Sequence, residues 1–282
     1  MLIAQMTDIH IGFEPEAKPE ELNRVRFRAT LDRLLKQPNA PDLLLLTGDL
    51  TDRGDRESFE RTAELLSECP FQVRALVGNH DSREELLRAF PDTPSEDGFV
   101  QYAFEQDGLR VLCLDSFEPG RHGGAFCEMR AVWLSAQLSA HTETPTLIFI
   151  HHPPVVSGVD WMDPRADEDW IENFAGAIAG HDQILAIHCG HLHRPLHTSF
   201  RGIPLGVTGS VAPLVSLDLR EVDASKPDNR VLITTEPPMY ALHRWENGSL
   251  STHYETVGDW DALAYYGPHL QPMMREMFAE RD

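Results

Sequence analysis

Leu43-Leu44-Leu45-Leu46-Thr47-Gly48-Asp49 is the stretch on which the fold turns. Four consecutive leucines have no polar face to offer water, so the run reads as a strand buried on both faces. Strands of that kind belong to largely parallel sheets covered by helices, and ligands bind beyond their carboxyl ends. Gly48 lets the backbone approach closely at that end, and Asp49 follows with a carboxylate.

Working outward, the same arrangement recurs four times. Leu2 to Met6 leads into Asp8-Ile9-His10, and Val73 to Val77 into Gly78-Asn79-His80-Asp81; Thr146 to Ile150 leads into His151-His152, and Ile184 to Cys189 into Gly190-His191-Leu192-His193. Each has a bland reading alone: Gly48-Asp49 is a turn signal, and Asn79 or Asp81 suits the cap of a helix starting near Ser82. In order, each behind an apolar strand, they describe a two-metal hydrolytic site.

Helical patterns fall between the strands at Glu21 to Leu35, Phe59 to Leu66, Arg83 to Phe90, Arg130 to Leu138 and Asp169 to Ile178, with a further strand at Val111 to Leu114. This is βαβ rhythm. After His193 it changes: Leu196 to Phe200, Ile203 to Val207, Met239 to Trp245 and Leu250 to Val257 read as consecutive strands, with Arg201-Gly202 and Glu246-Asn247-Gly248 as turns. A second, partly antiparallel sheet built from these strands and packed on the first is expected. The predicted class is α/β, a four-layer α-β-β-α sandwich of two mixed sheets flanked by helices. One domain spans 1–282, with a cap or oligomerisation insertion at about 211–238 and a C-terminal hairpin and tail at 239–282.

Composition narrows the partners. Against 24 basic residues stand 45 acidic ones, a net charge of −21, so the surrounding field repels nucleic acid and anionic membranes. An anionic substrate then needs cations in the site. Cys69, Cys113, Cys127 and Cys189 form neither a C-x-x-C pair nor a dense disulfide framework and read as small buried hydrophobes. No apolar run approaches a membrane span, and Leu2-Ile3-Ala4-Gln5-Met6 leaves no room for a signal peptide. The expected setting is cytoplasmic, in a homo-oligomer, without membrane or nucleic-acid partners.

Carboxylate, imidazole and amide oxygen suit hard or borderline divalent ions, and a pair about 3.5–4 Å apart needs a bridging carboxylate. Asp49 is the best bridge. Asp8 and His10, two apart on a strand leaving the sheet, can clamp one ion, and Asn79 brings a neutral oxygen to the other. His191 and His193 can bind one ion each, and His151 completes the set.

The ordered pattern D-x-H, G-D, G-N-H-[D/E], H and G-H-x-H resembles that of the calcineurin-like metallophosphoesterase superfamily, from residue 1 to about 210. The resemblance implies a phosphoester hydrolase with Fe, Mn, Zn or Co. It assigns Asp8, His10, Asp49 and His193 to a first ion, and Asp49, Asn79, His151 and His191 to a second. It implies attack by a metal-bound hydroxide and a catalytic role for His80, contacting phosphate or protonating the leaving oxygen, with Asp81 orienting it. His152 is expected to contact a ligand or substrate rather than an ion.

Three branches of the superfamily compete. Gly48-Asp49-Leu50-Thr51-Asp52-Arg53-Gly54 is similar to a segment of serine/threonine protein phosphatases whose arginine grips phosphate, making Arg53 a candidate phosphate contact or a surface arginine paired with an acid. Those enzymes, however, have G-N-H-E where this chain has Gly78-Asn79-His80-Asp81. Mre-type exonucleases would need a basic track that the composition lacks. Bacterial class III cyclic-nucleotide phosphodiesterases and glycerophosphodiesterases share more: His151-His152-Pro153-Pro154, Gly158-Val159-Asp160-Trp161-Met162-Asp163, Pro237-Pro238-Met239-Tyr240 and Tyr265-Tyr266-Gly267-Pro268. That likeness implies a metal-dependent phosphodiesterase for small diesters such as cyclic AMP or glycerophosphodiesters. The alternatives are a phosphomonoesterase, a protein phosphatase or a non-catalytic scaffold. The loop from Phe117 to Phe126, with His122, Gly123 and Gly124, and the pair Trp161 and Met162 are candidates to border the site. Arg194 either contacts phosphate or pairs with an acid.

Overall fold

The buried leucine run is the middle strand of three parallel neighbours in the structure, a computed structural model that describes residues 1–13 and 21–281. In chain order the first elements are β1 (Leu2–Met6), α1 (Leu22–Lys36), β2 (Leu43–Thr47), α2 (Arg56–Leu66), β3 (Gln72–Leu76) and α3 (Arg83–Ala89). Next come β4 (Tyr102–Gln106), β5 (Leu109–Leu114), α4 (Glu128–Ser139), β6 (Thr146–Ile150), α5 (Asp169–Ile178), β7 (Ile184–Cys189), β8 (Leu196–Phe200) and β9 (Ile203–Val207). The chain continues through β10 (Leu214–Val215), β11 (Ile233–Thr234), β12 (Met239–Glu246), β13 (Ser249–Thr256) and α6 (Gln271–Ala279).

Two large mixed sheets result, ordered β13-β12-β1-β2-β3 and β4-β5-β6-β7-β9-β8. The second sheet is not assembled from the strands after His193, as the change of rhythm had suggested. Instead the parallel strands divide between the sheets, and each sheet takes one of the late hairpins at an edge. β9 runs parallel to β7 with β8 antiparallel outside it, while β12 lies antiparallel to β1 and carries β13. The physical reason is edge satisfaction: β1 would otherwise present unpaired N–H and C=O groups along its whole outer side.

Side-chain alternation builds the layers. On β5 and β6, Val111, Cys113, Leu147 and Phe149 join the same core as Ile3 and Met6 of the first sheet, between the two sheets. Their neighbours Leu112, Leu114, Ile148 and Ile150 point the other way, onto Trp133 and Leu134 of α4 and Phe174 of α5. Phe27, Leu31 and Leu34 of α1 and Phe59 of α2 pack on the first sheet. Each such fully buried side chain contributes about 1.5–3 kcal/mol.

Helix starts are set locally. The Asp55 carboxylate accepts from the Ser58 N–H at 2.9 Å to cap α2, and Ser82 rather than Asn79 or Asp81 caps α3. The quartet from Gly78 to Asp81 is thereby held between β3 and the first turn of α3. In the 211–238 segment, β10 and β11 form a short antiparallel ribbon. Its base is gripped by Arg26 of α1, which donates to the carbonyls of Val211, Ala212 and Glu236 at 2.7, 3.0 and 2.8 Å. Arg194 adds bonds to the Val215 carbonyl at 2.6 Å and the Glu236 carboxylate at 2.7 Å, the acid pairing that was one of its two readings. The tail forms a helix, α6, that apolar periodicity had not marked, and none of its residues is buried.

Candidate metal centre

All five polar segments converge beyond the carboxyl ends of β1, β2, β3, β6 and β7. The backbone there is unusual: Asp8, His10, Asp49, His191 and His193 all have positive φ, at 52°, 51°, 50°, 68° and 51°. Non-glycine residues rarely adopt this left-handed region, at a cost on the order of 1–3 kcal/mol each. Asp8 and His10 therefore reach one site because the chain turns left-handed at both, not because they alternate along a strand. Backbone bonds hold the turns: Ile9 and His10 donate to the Asp49 carbonyl at 2.8 and 2.9 Å, and Asp8 to that of Gly48 at 3.0 Å.

The donor atoms form overlapping groups. Asp8, His10 and His193 make one; Asp8, Asp49 and His151 a second; His10, Asp49 and His80 a third; and His151, His152 and His191 a fourth, with the atoms of each group within 4.8 Å of one another. Asp8, His10, Asp49 and His151 each belong to two of these groups, and Asp8 and Asp49 share one.

Three histidines are tied down by one nitrogen. Nδ1 of His151 donates to the Thr47 carbonyl at 2.8 Å, and Nδ1 of His193 to that of Pro213 at 2.9 Å. Nδ1 of His10 faces the Asp52 carboxylate at 3.3 Å. Each then turns its Nε2 inward, those of His10 and His193 meeting at 3.0 Å, the arrangement that orients imidazole toward a metal. Nε2 of His151 is buried with no hydrogen-bond partner and stands 3.3 Å from Asp49 and 3.9 Å from Asp8. An orphaned nitrogen aimed between two buried carboxylates is the signature of a cation site, and the residues present fit divalent ions.

The electrostatics agree. Burial works against charge on Asp49, yet His151 beside it holds the carboxyl well below its ordinary value. Asp8 is likewise lowered against burial, by His193. Burial opposes charge on His151 too, but Asp49 pushes it up to about 9. The carboxylates are ionised and their field is what a bound cation would use.

Asn79 joins the fourth group through its amide oxygen, 3.0 Å from Nδ1 of His191 and 3.1 Å from Nε2 of His152. His152 is not free to ligate. Its Nδ1 lies 2.8 Å from the Ser116 hydroxyl, and its Nε2 points at two acceptors, the Asn79 amide oxygen and the His122 carbonyl. It therefore donates to the Asn79 oxygen and steadies it.

His80 sits at the rim, its Nδ1 2.8 Å from the Asp52 carbonyl. Asp81 does not touch the His80 ring. Its carboxylate accepts from the N–H groups of Leu50, Thr51 and Gly78 and from the Thr51 hydroxyl, at 3.0–3.2 Å, pinning β2's exit to β3's. Burial and the Asp49 charge push it up to about 7. Arg53 is mostly exposed, 3.8 Å from Asp52, and outside the set that lines the cleft described next.

Beside the donors runs a cleft of about 250 Å³, whose lining includes His10, Asp52, His80, His122 and His193. Its lining also includes apolar residues: Phe13, Trp161, Met162, Pro213, Val215 and Ile233. Two of these residues come from the β10–β11 ribbon, within the segment expected to be a cap or an oligomerisation insertion. Asp52 went unassigned in the sequence, whereas His122 lies in the loop expected to border the site and does border it. Asp52 was visible only as a partner for Arg53, and His122 as a candidate to border the site without a specific partner.

The fold and the convergent carboxylate and imidazole donors define a metal-dependent phosphoesterase. The model of the Calcineurin-like phosphoesterase family matches residues 1–195, and the chain belongs to that family. A probable glycerophosphodiester phosphodiesterase of Arcobacter nitrofigilis is 33% identical over 271 residues, covering 93% of this chain and 95% of its own. A probable cyclic nucleotide phosphodiesterase of Synechococcus is 35% identical over 207 residues, or 72% of this chain and 79% of its own. Among solved structures, a dimetal phosphatase of Danio rerio superposes with a TM-score of 0.60 at 15% identity, over 91% of this chain and 99% of that one, a likeness of fold. The family implies divalent metal ions, and the Asp and His groups above are suited to hold them. No helix among the described residues is long and apolar enough to cross a membrane.

Proposed function

We propose that this protein hydrolyses small phosphodiesters, such as 3′,5′-cyclic nucleotides or glycerophosphodiesters. Asp8, His10, Asp49 and His193 would hold one ion, and Asp49, Asn79, His151 and His191 the other. The observation that carries the reading is the juxtaposition of this donor set with a partly apolar cleft of about 250 Å³. A diester has one charge to be met by the ions these donors would hold and an uncharged remainder to be buried, and the cleft sets the two environments beside each other. The names of the Arcobacter and Synechococcus relatives point to the same reaction class.

Two bound divalent ions would supply Lewis acidity toward the phosphate oxygens and the attacking water. The chain does the rest. His80, held at Nδ1 by the Asp52 carbonyl, offers Nε2 for phosphate contact or proton delivery to the leaving oxygen. Trp161, Met162 and Val215 exclude water from the leaving-group side. The donor set suits Fe, Mn, Zn and Co alike.

The test is hydrolysis of bis(p-nitrophenyl) phosphate with Mn²⁺, followed by a panel of monoester, linear diester and cyclic nucleotide under the same metal. Diesters should be turned over faster than monoesters. Faster monoester hydrolysis would move the protein to the phosphomonoesterase branch, and no hydrolysis with any divalent metal would make it a scaffold.

A further inference from the structure

The loop after β5 is built to place one residue. Asp115 at its start is clasped by Arg83 through two bonds, at 2.7 and 2.8 Å. Arg83 and Arg130 both donate to the Phe117 carbonyl, at 2.6 and 3.2 Å. The far end is closed by the Ala125 N–H on the Ser116 carbonyl at 2.9 Å. At Gly124 an added Cβ would lie 2.9 Å from that of His152 and 3.0 Å from the Trp170 ring, so only glycine lets the loop come this close. What the loop presents is His122, which borders the cleft.

His122 makes two contacts to the second half of the donor set. Its Nδ1 lies 3.2 Å from Nδ2 of Asn79, and its carbonyl accepts from Nε2 of His152 at 3.3 Å. These contacts fix hydrogen positions by elimination. A carbonyl only accepts, so Nε2 of His152 carries a proton, and the Asn79 atom it also meets is the amide oxygen. Nδ2 of Asn79 then faces His122 and can only donate. Nδ1 of neutral His122 accepts, and its remaining hydrogen sits on Nε2.

We propose that His122 is a positioning residue for Asn79 and a phosphate donor in the same cleft. By accepting from the amide nitrogen it keeps the amide oxygen turned toward His191 and the second ion, and by that bond it is left with Nε2–H to give a phosphate oxygen. The substrate half rests on the phosphodiesterase reading; the positioning half does not.

The experiment titrates Mn²⁺ into metal-free protein calorimetrically and measures KM and kcat on bis(p-nitrophenyl) phosphate, for wild type, H122A and H122N. Asparagine can still accept from Asn79 through its amide oxygen but does not reach the position of Nε2. H122A should bind the second ion about tenfold more weakly, the first unchanged, and KM should rise about tenfold. H122N should restore second-ion affinity while KM stays raised. Wild-type metal affinities in H122A would overturn the positioning role, and a wild-type KM in H122N would overturn the donor role. If H122A does not fold, H122N decides alone: it must keep the ion and lose the substrate contact. If the wild type hydrolyses no diester, the function reading fails, and the metal titration still judges the positioning role.

Discussion

Asp52 serves two histidines at once: its backbone carbonyl lies 2.8 Å from Nδ1 of His80, and its carboxylate 3.3 Å from Nδ1 of His10. The two roles are separable by mutation. In Asp52→Asn the carbonyl stays, but the charge that orients His10 and favours its Nδ1 proton is gone. First-ion affinity should fall between about tenfold and 100-fold, read by Mn²⁺ titration of metal-free protein. Unchanged affinity would mean that the carboxylate only answers Arg53.

His80 is reached through a different readout. His80→Ala removes a group at the rim whose partner is a backbone carbonyl, so both ions should remain, while turnover falls by about 100-fold or more. Elemental analysis and steady-state kinetics on one preparation check both halves. Full activity would withdraw the catalytic role from His80.

Close approach at the strand exits predicts which glycines matter. At Gly78 a Cβ would lie 2.2 Å from the Asp49 carboxylate oxygen and 2.4 Å from its backbone nitrogen. Gly78→Ala should therefore displace the bridging carboxylate and abolish metal binding. Gly176 on α5 has nothing within 4 Å, and Gly176→Ala should leave activity intact and add up to about 1 kcal/mol of stability. Paired thermal melts and metal analysis distinguish the two.

Acid should unfold the protein through a pair of histidines outside the donor set. His188 is buried between the sheets with neither ring nitrogen bonded, its ring 4.0 Å from that of His243. Burial pushes His188 down to about 3, and burial also drives His243 well below its ordinary value. Unfolded, each takes a proton near pH 6.5; folded, neither does until the pH is far lower. Their contribution is complete above about 6.5 and drains as pH falls toward 3, by about 1.4 kcal/mol per pH unit for each residue. His188→Leu should show a shallower loss of stability than wild type in urea unfolding from pH 7 to pH 5. An identical slope would place the acid sensitivity elsewhere.

Chelation should loosen the fold. Asp8 and Asp49 are buried beside one another, and a cation bound only in the folded state adds about 2.7 kcal/mol per site at 100 times its dissociation constant. The melting temperature should drop after chelator treatment and recover with Mn²⁺. No shift in either direction would argue against a divalent site among these residues.

The βαβ rhythm and the donor residues could be read because both are local facts. A run such as Leu43 to Leu46 can be a doubly covered strand whatever lies elsewhere, and a polar cluster at its end has few structural uses. The division of parallel strands between two sheets was not legible, since β1 and β6 have the same apolar character and nothing local says which neighbour each will choose. The partners of Asp52 and His122 were hidden for a related reason: each meets a residue distant in sequence, Asp52 at His10 and His122 at Asn79.

The order of carboxylates, imidazoles and amide along the chain therefore determined, by itself, which atoms are available to bind metal and which class of reaction they serve. Tertiary structure decided how they are used. Left-handed turns at Asp8, His10 and Asp49 aim the donors, and carbonyls of Thr47 and Pro213 choose which nitrogen of His151 and His193 faces the other donors. The ribbon beside them supplies part of the apolar lining. Donor chemistry belongs to each side chain alone, whereas its direction, tautomer and neighbours exist only once distant segments have packed.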